Sequence, residues 1–182
     1  MTKMSVGALI AAGAATLVAV PVAQAAPPNF PDLSGYQTVN ADDYSSEFGY
    51  ATGGVRFSTP DGLHCSLSRN VRGSESVARC RGDLPGTGGA TGVLASTFMP
   101  TTWQQVDLSK PEMYLEMGAN GFIDRPVDPA AFRPLPAGSR IIYQDITCGV
   151  DNAQMTACII TPTASNLSEH GFVLKPDASS TF

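Results

Sequence analysis

Charge is scarce in this 182-residue chain: 15% of residues are charged, 16 acidic against 11 basic, and the formal net charge is −5. That balance argues against whole-protein attraction to nucleic acid or to an anionic membrane surface. Histidine is scarcer still. Only His64 and His170 occur, so imidazole chemistry has two candidates and no more. The four cysteines contain no C-x2-4-C pair, which leaves no zinc-ligand spacing. No Gly-x-Ser-x-Gly elbow holds a nucleophile, and no EF-hand loop holds calcium. The glycine cluster Gly86-Thr87-Gly88-Gly89-Ala90-Thr91-Gly92 lacks both the G-x-G-x-x-G order and the Lys-Ser/Thr of a phosphate loop, and reads as a connector. No metal and no cofactor is expected.

What is present begins with a leader. Lys3 precedes an uncharged run from Val6 to Val20, then Pro21 and Ala23-Gln24-Ala25. A short cationic segment, an apolar stretch and small residues at −3 and −1 make a secretory signal peptide over residues 1–25, with cleavage after Ala25. The run is shorter than the roughly 20 residues a membrane span needs and is broken by proline. No integral membrane segment is therefore expected once the leader is gone. The product is read as secreted or associated with the cell envelope. The remaining residues suffice for one domain, divided into a proline-rich lead-in over 26–53 and a single disulfide-containing domain over 54–182.

Eighteen glycines and fourteen prolines stand well above the combined average of about 12% and discourage long helices. From Gly54 onward, short runs of Val, Ile, Phe and Thr are cut by turn residues, the pattern of an antiparallel meander. Strands are expected at Val55–Ser58, Leu63–Ser68 and Val77–Arg81. Others are expected at Ile141–Tyr143, Ile146–Val150, Met155–Ile160 and Gly171–Leu174. Thr59-Pro60-Asp61-Gly62 is a turn in which proline presets φ and glycine takes the positive φ that follows. In the middle, Val93–Phe98, Thr102–Leu108 and Met113–Met117 are candidate strands, the last half-buried by its alternation of apolar and polar residues. Arg125–Pro136, with four prolines, reads as a loop or edge-hugging segment. The expected fold is all-β or β-rich, a small antiparallel sandwich or barrel.

Exported cysteines form disulfides, and four allow three pairings. Short spacing within each local pair favours Cys65 with Cys80 and Cys148 with Cys158, each tying adjacent strands. The two cysteine regions echo each other: Arg56-Phe57, Asp61-Gly62 and Cys65, then Cys80, against Arg140-Ile141, Asp145 and Cys148, then Cys158. Sheet register explains the echo as two analogous hairpins.

Phe57-Ser58-Thr59-Pro60-Asp61-Gly62-Leu63-His64-Cys65 and the later Cys148, Cys158 and His170-Gly171-Phe172 segment, with the terminal Phe182, carry a resemblance. The chain resembles secreted actinobacterial, mycobacterial-type proteins of unassigned function that share a Phe-x-Ser/Thr-Pro-x-Gly-x-x-Cys signature. That resemblance implies secretion and a disulfide framework, with no reaction attached. This chain has Asp-Gly-Leu where the family usually has Ser-Gly-Asn.

The candidate binding residues are Arg69, Arg72, Arg79 and Arg81. These four of eight arginines lie about the first cysteine loop, where only Glu75 and Asp83 oppose them. A disulfide-tied arginine hairpin suits an anionic cell-envelope polymer or protein, through bidentate guanidinium contacts. His64, next to Cys65 in a strand, should face outward if the cystine faces inward. His170 is the catalytic candidate, with Glu169 or Asp145 available to orient it. The expected function is a non-catalytic, exported binding protein; the alternative is a small cell-wall hydrolase using His170 and a carboxylate. The acidic pairs Asp42 with Asp43, Glu112 with Glu116, and Asp124 with Asp128 read as surface charge.

Overall fold

The computed structural model describes residue 27 and residues 30–182. The expected leader and its cleavage site lie outside the described residues. Among the described residues the regular structure consists of fifteen strands and two short 3-10 turns, Ala41–Tyr44 and Pro129–Ala131. In chain order the strands are β1 (Gln37–Thr38), β2 (Ser45–Glu47), β3 (Thr52–Ser58), β4 (His64–Asn70), β5 (Ser76–Arg81), β6 (Gly92–Ser96), β7 (Thr102–Gln104) and β8 (Met113–Gly118). There follow β9 (Gly121–Pro126), β10 (Arg133–Pro134), β11 (Ser139–Tyr143), β12 (Ile146–Val150), β13 (Thr156–Ile160), β14 (His170–Leu174) and β15 (Ser180–Thr181).

The first sheet runs β10-β3-β4-β5-β6-β7, with β2 also on β3; the second runs β1-β11-β12-β13-β14-β15. The hairpin β8-β9 is a separate two-stranded sheet. Neither large sheet closes on itself, so the fold is an open sandwich and not a barrel. Alternation places Val55, Phe57, Cys65, Leu67, Ala78, Cys80, Val93 and Ala95 on the inner face of the first sheet, all fully buried. Ile141, Ile146, Cys148, Val150, Cys158, Ile160, Phe172 and Leu174 face them from the second.

Both expected disulfides form. Cys65 lies directly opposite Cys80 in the β4–β5 register, and Cys148 opposite Cys158 in β12–β13, so each bridge joins two neighbouring strands inside the core. The Phe57-to-Cys65 segment forms the turn between β3 and β4. Gly62 has φ +89°, the Gly62 amide donates to the Thr59 carbonyl at 3.0 Å, and the Leu63 amide donates to Thr59 Oγ1 at 2.9 Å. The Gly171 of His-Gly-Phe also has a reason. A Cβ there would collide with the Cys158 carbonyl and with the ring of Phe182, whose backbone pairs with Gly171 in both directions at 3.0 Å.

The echo between the cysteine regions extends to topology. Each large sheet is built on a five-stranded antiparallel meander, β3 to β7 and β11 to β15, stapled between its second and third strands. The short strand leading into each meander pairs in parallel with the first strand of the other: β1 with β11, β10 with β3. The described part of the lead-in is thus stitched into the sandwich through β1 and β2. Leu33 packs on Gly149, where a Cβ would meet its side chain at 2.7 Å, and Tyr44 joins the core.

In the middle of the chain the expected strands Val93–Phe98, Thr102–Leu108 and Met113–Met117 are present as β6, a shorter β7 and β8, and the difference lies in which side of β8 is covered. Met113–Gly118 is a strand, but Met113, Leu115 and Met117 are its exposed side, while Tyr114 and Glu116 are partly covered. Tyr114 on the other side is held by Glu47, whose carboxylate accepts from its hydroxyl at 2.9 Å, while β9 is exposed along its whole length.

Candidate functional site

Residues opposite in parity to the buried cystine populate the outer face of the first sheet. The registers align Arg56, Ser66, Arg79 and Leu94 in one row across β3 to β6, and Ser58, His64, Arg81 and Gly92 in the next. Side chains directly opposed in such rows stand about 5 Å apart. Three arginines and a histidine therefore share one patch of sheet, and His64 faces outward as alternation requires.

That face is covered by a strap. Residues 105–132 leave edge strand β7, cross the sheet through β8 and β9, and return at the opposite edge as β10. Arg81 Nη2 holds the strap by donating to the carbonyls of Lys110 at 2.9 Å and Asp107 at 3.3 Å. The His64 ring stacks on Phe132, 4.2 Å between centroids and 12° from parallel. The Val127 amide closes the strap on itself by donating to the Glu112 carbonyl at 2.8 Å. Between strap and sheet lies a cleft of about 340 Å³, lined among others by His64, Arg81, Lys110, Glu112, Val127 and Phe132.

Arg56 anchors the cleft's inner wall. Its side chain is 2% exposed, 3.7 Å from Glu112 Oε1, and its guanidinium lies 3.7 Å from the centroid of the Phe48 ring. It donates to Ser46 Oγ at 2.8 Å and to the Glu47 carbonyl. Burial pulls this guanidinium below its ordinary pKa, against the opposing pull of Glu112. Glu112 is thus already committed to a buried cation. Burial, followed by the charge of Arg81, also holds His64 below the usual imidazole value of 6.5. His64 is therefore mostly neutral at pH 7, an acceptor or donor beside two cations.

The four arginines of the first cysteine region go to three places. Arg79 and Arg81 lie on the outer face with His64, and the Arg79 Nε is buried without a partner. Arg69 points the other way, to the end of the sandwich, where it meets Asp145 at 3.2 Å and donates to Ser76 Oγ at 2.8 Å. Arg72 sits in the β4–β5 turn, 4.8 Å above the Tyr50 ring. His170 opens β14 opposite Ile160, its Nδ1 buried and unpartnered. Asp145 is taken by Arg69 and Ser76, and among the described residues no carboxylate pairs with His170. Arg56 and Lys110 are site residues that the sequence pattern does not single out. Glu112, expected with Glu116 as surface charge, is instead 11% exposed because it faces the buried Arg56, whereas Glu116 stays at the surface beside Arg125. An arginine flanked by Val55 and Phe57 within a strand was the available signal for Arg56.

Among the described residues, no three His, Cys, Asp or Glu side chains converge as metal ligands, and no helix is long and apolar enough to cross a membrane. Comparison of the chain with known protein families, with curated proteins and with solved structures found no match.

Proposed function

We propose that this is an exported envelope or extracellular protein that binds anionic groups, the phosphates or carboxylates of an envelope polymer, in the cleft beneath the strap. Two buried disulfides suit an oxidising compartment, and the apolar leader supports export. The observation that carries the reading is the charge of the cleft. Arg81 and Lys110 line it beside His64, Arg79 is adjacent, and the one acid in the wall, Glu112, is paired with Arg56. Lys110 also meets Asp107 at 3.4 Å, but both side chains are more than half exposed, so an entering anion displaces only a solvent-screened surface pair and finds Arg81 and His64 beside it. The seat of binding is accordingly Arg81 with His64 and Lys110, with Arg79 in the neighbouring row of the sheet, and not Arg69, which meets Asp145 of the other sheet.

The test is a titration of the mature chain with inorganic phosphate, followed by amide and imidazole NMR signals, and then retention on phosphodiester and polycarboxylate resins. Phosphate should shift His64, Arg81 and Lys110 and raise the His64 pKa, because an anion stabilises the imidazolium. Lys110→Ala should weaken binding by about tenfold or more, the value of one charge-assisted hydrogen bond. Shifts absent from those three residues, with retention unaltered by Lys110→Ala, would refute the site.

A further inference from the structure

Half of the exposed large apolar side chains gather on one face of the β8–β9 hairpin and the loop beside it. Register puts Met113, Leu115 and Met117 of β8 on the same side as Phe122 and Asp124 of β9. They are 46%, 53% and 48% exposed, and Phe122 58%. Tyr50 extends the face through an edge-on contact with Phe122, 6.1 Å between centroids, and its amide donates to the Leu115 carbonyl at 3.3 Å. Val71, the most exposed at 71%, continues it, because its amide donates to the carbonyl of Ala51 next to Tyr50. These six side chains expose on the order of 600 Å² together, the upper end of what a monomer leaves uncovered.

Two features choose the occupant. The face carries one cation, Arg72 over Tyr50, and one anion, Asp124 opposite Leu115, neither in an ion pair among the described residues. A surface with one charge of each sign complements itself when turned by a two-fold axis. Doubled, the patch buries about 1,200 Å², at the threshold of a specific interface. A lipid surface fits less well, since it would desolvate Asp124 and receive a chain of net charge −5.

We propose that this face is a self-association surface, on which a second copy of the chain packs its own β8–β9 hairpin across a two-fold axis, with Arg72 of each copy against Asp124 of the other. The surface is separate from the cleft residues His64, Arg81 and Lys110, so its failure leaves the anion site untouched.

Sedimentation velocity of the mature chain should show a monomer–dimer equilibrium with a midpoint in the range of roughly 1–100 µM expected of an interface this small. Leu115→Ser with Phe122→Ser should weaken it about tenfold or more. Because that pair bears on the hairpin's own packing, charge reversal supplies the second test. Arg72→Glu and Asp124→Arg should each weaken the dimer about tenfold, and the double reversal should return it to within roughly threefold of the parent. A chain monomeric up to about 1 mM, or a dimer indifferent to both reversals, would overturn the proposal. So would a monomer that instead co-sediments with phosphatidylcholine vesicles, or one that pairs only with a different protein.

Discussion

Replacing Arg56 with Met should be among the most damaging substitutions in this protein. Arg56 is one of the largest fully buried side chains, at 1% exposure, and it joins three separate pieces: β3, the strap through Glu112, and β2 with its following loop through Ser46, Glu47 and Phe48. Each hydrogen bond from a charged donor is worth about 1.5–3 kcal/mol, and the aromatic contact about 1–2 kcal/mol when desolvated. Methionine recovers the cost of burying a guanidinium, which offsets much of that total. It also leaves Glu112, 11% exposed, without its cation. Breaking a buried pair from one side costs about 3–5 kcal/mol. Against a total stability of about 5–15 kcal/mol this is severe, and at 2–4 °C per kcal/mol it lowers the melting temperature by roughly 10 °C.

The assay is urea and thermal unfolding at pH 7 across a short series. Arg56→Lys should fall between the parent and Arg56→Met, because it keeps the charge and loses the fork that reaches Ser46 and Glu47 together. Glu112→Gln should cost less than Arg56→Met, since the guanidinium keeps its other acceptors. Adding Glu112→Gln to Arg56→Met should recover about 1 kcal/mol or more, the coupling expected of residues in direct contact. If Arg56→Met costs under about 0.5 kcal/mol, or the double variant is additive, the anchoring role is wrong.

Two further outcomes follow from particular groups. His64, faced by Phe132, Arg81, Lys110 and Glu112, has a folded pKa below its unfolded value of about 6.5, so the unfolded chain binds more protons between the two values and stability falls as pH drops through that window. Urea unfolding from pH 7.5 to 5 should show that loss in the parent and not in His64→Gln; an NMR midpoint for His64 at or above 6.5 would contradict it. Removing the Cys65–Cys80 bridge, which closes a separation of 15 residues, should cost about 3 kcal/mol, and removing Cys148–Cys158, with a separation of 10, slightly less. Denaturation of the paired Ser variants measures both, and a cost near zero would mean that the meanders hold their registers without staples.

The strands that alternation could reveal were those with one face in the core. Val55, Phe57, Cys65 and Leu67, or Ile146, Cys148 and Val150, repeat every second residue because the core demands it. The edge strands β1, β10 and β15 are two residues long and nearly all polar, so no periodicity exists to read. The hairpin misled for the opposite reason. Its alternation is real, but Met113, Leu115 and Met117 mark an outward face, and period alone does not say which side meets the core. The arginines show the same limit. Counting them in one hairpin suggested one patch, yet parity sends Arg69 to the inner side with Cys65 and Leu67 and Arg79 and Arg81 to the outer side. The cleft needs His64 beside Phe132, 68 positions later, and Arg56 beside Glu112, 56 positions later, pairings that no local pattern encodes.

The asymmetry of the site follows from the symmetry of the fold. Both meanders borrow an edge strand from the other's lead-in, so each lead-in must travel to the far sheet. For the second lead-in, the chain leaves β7 at one edge of the first sheet and must reach β10 at the opposite edge of that same sheet. The connection has no route but over the outer face, and its length exceeds what the crossing needs, which leaves room for a hairpin and a gap beneath. The second sheet has no such crossing among the described residues; its outer face is instead met by Leu33 packed on Gly149, with Arg140 donating to the Leu33 carbonyl at 3.0 Å. One outer face is therefore met by an apolar plug at Gly149, with Ile142 left exposed, and the other is spanned by a strap over charged residues. A cleft with cations in its floor arises on the first sheet alone because that is the sheet whose two edges the middle of the chain must join.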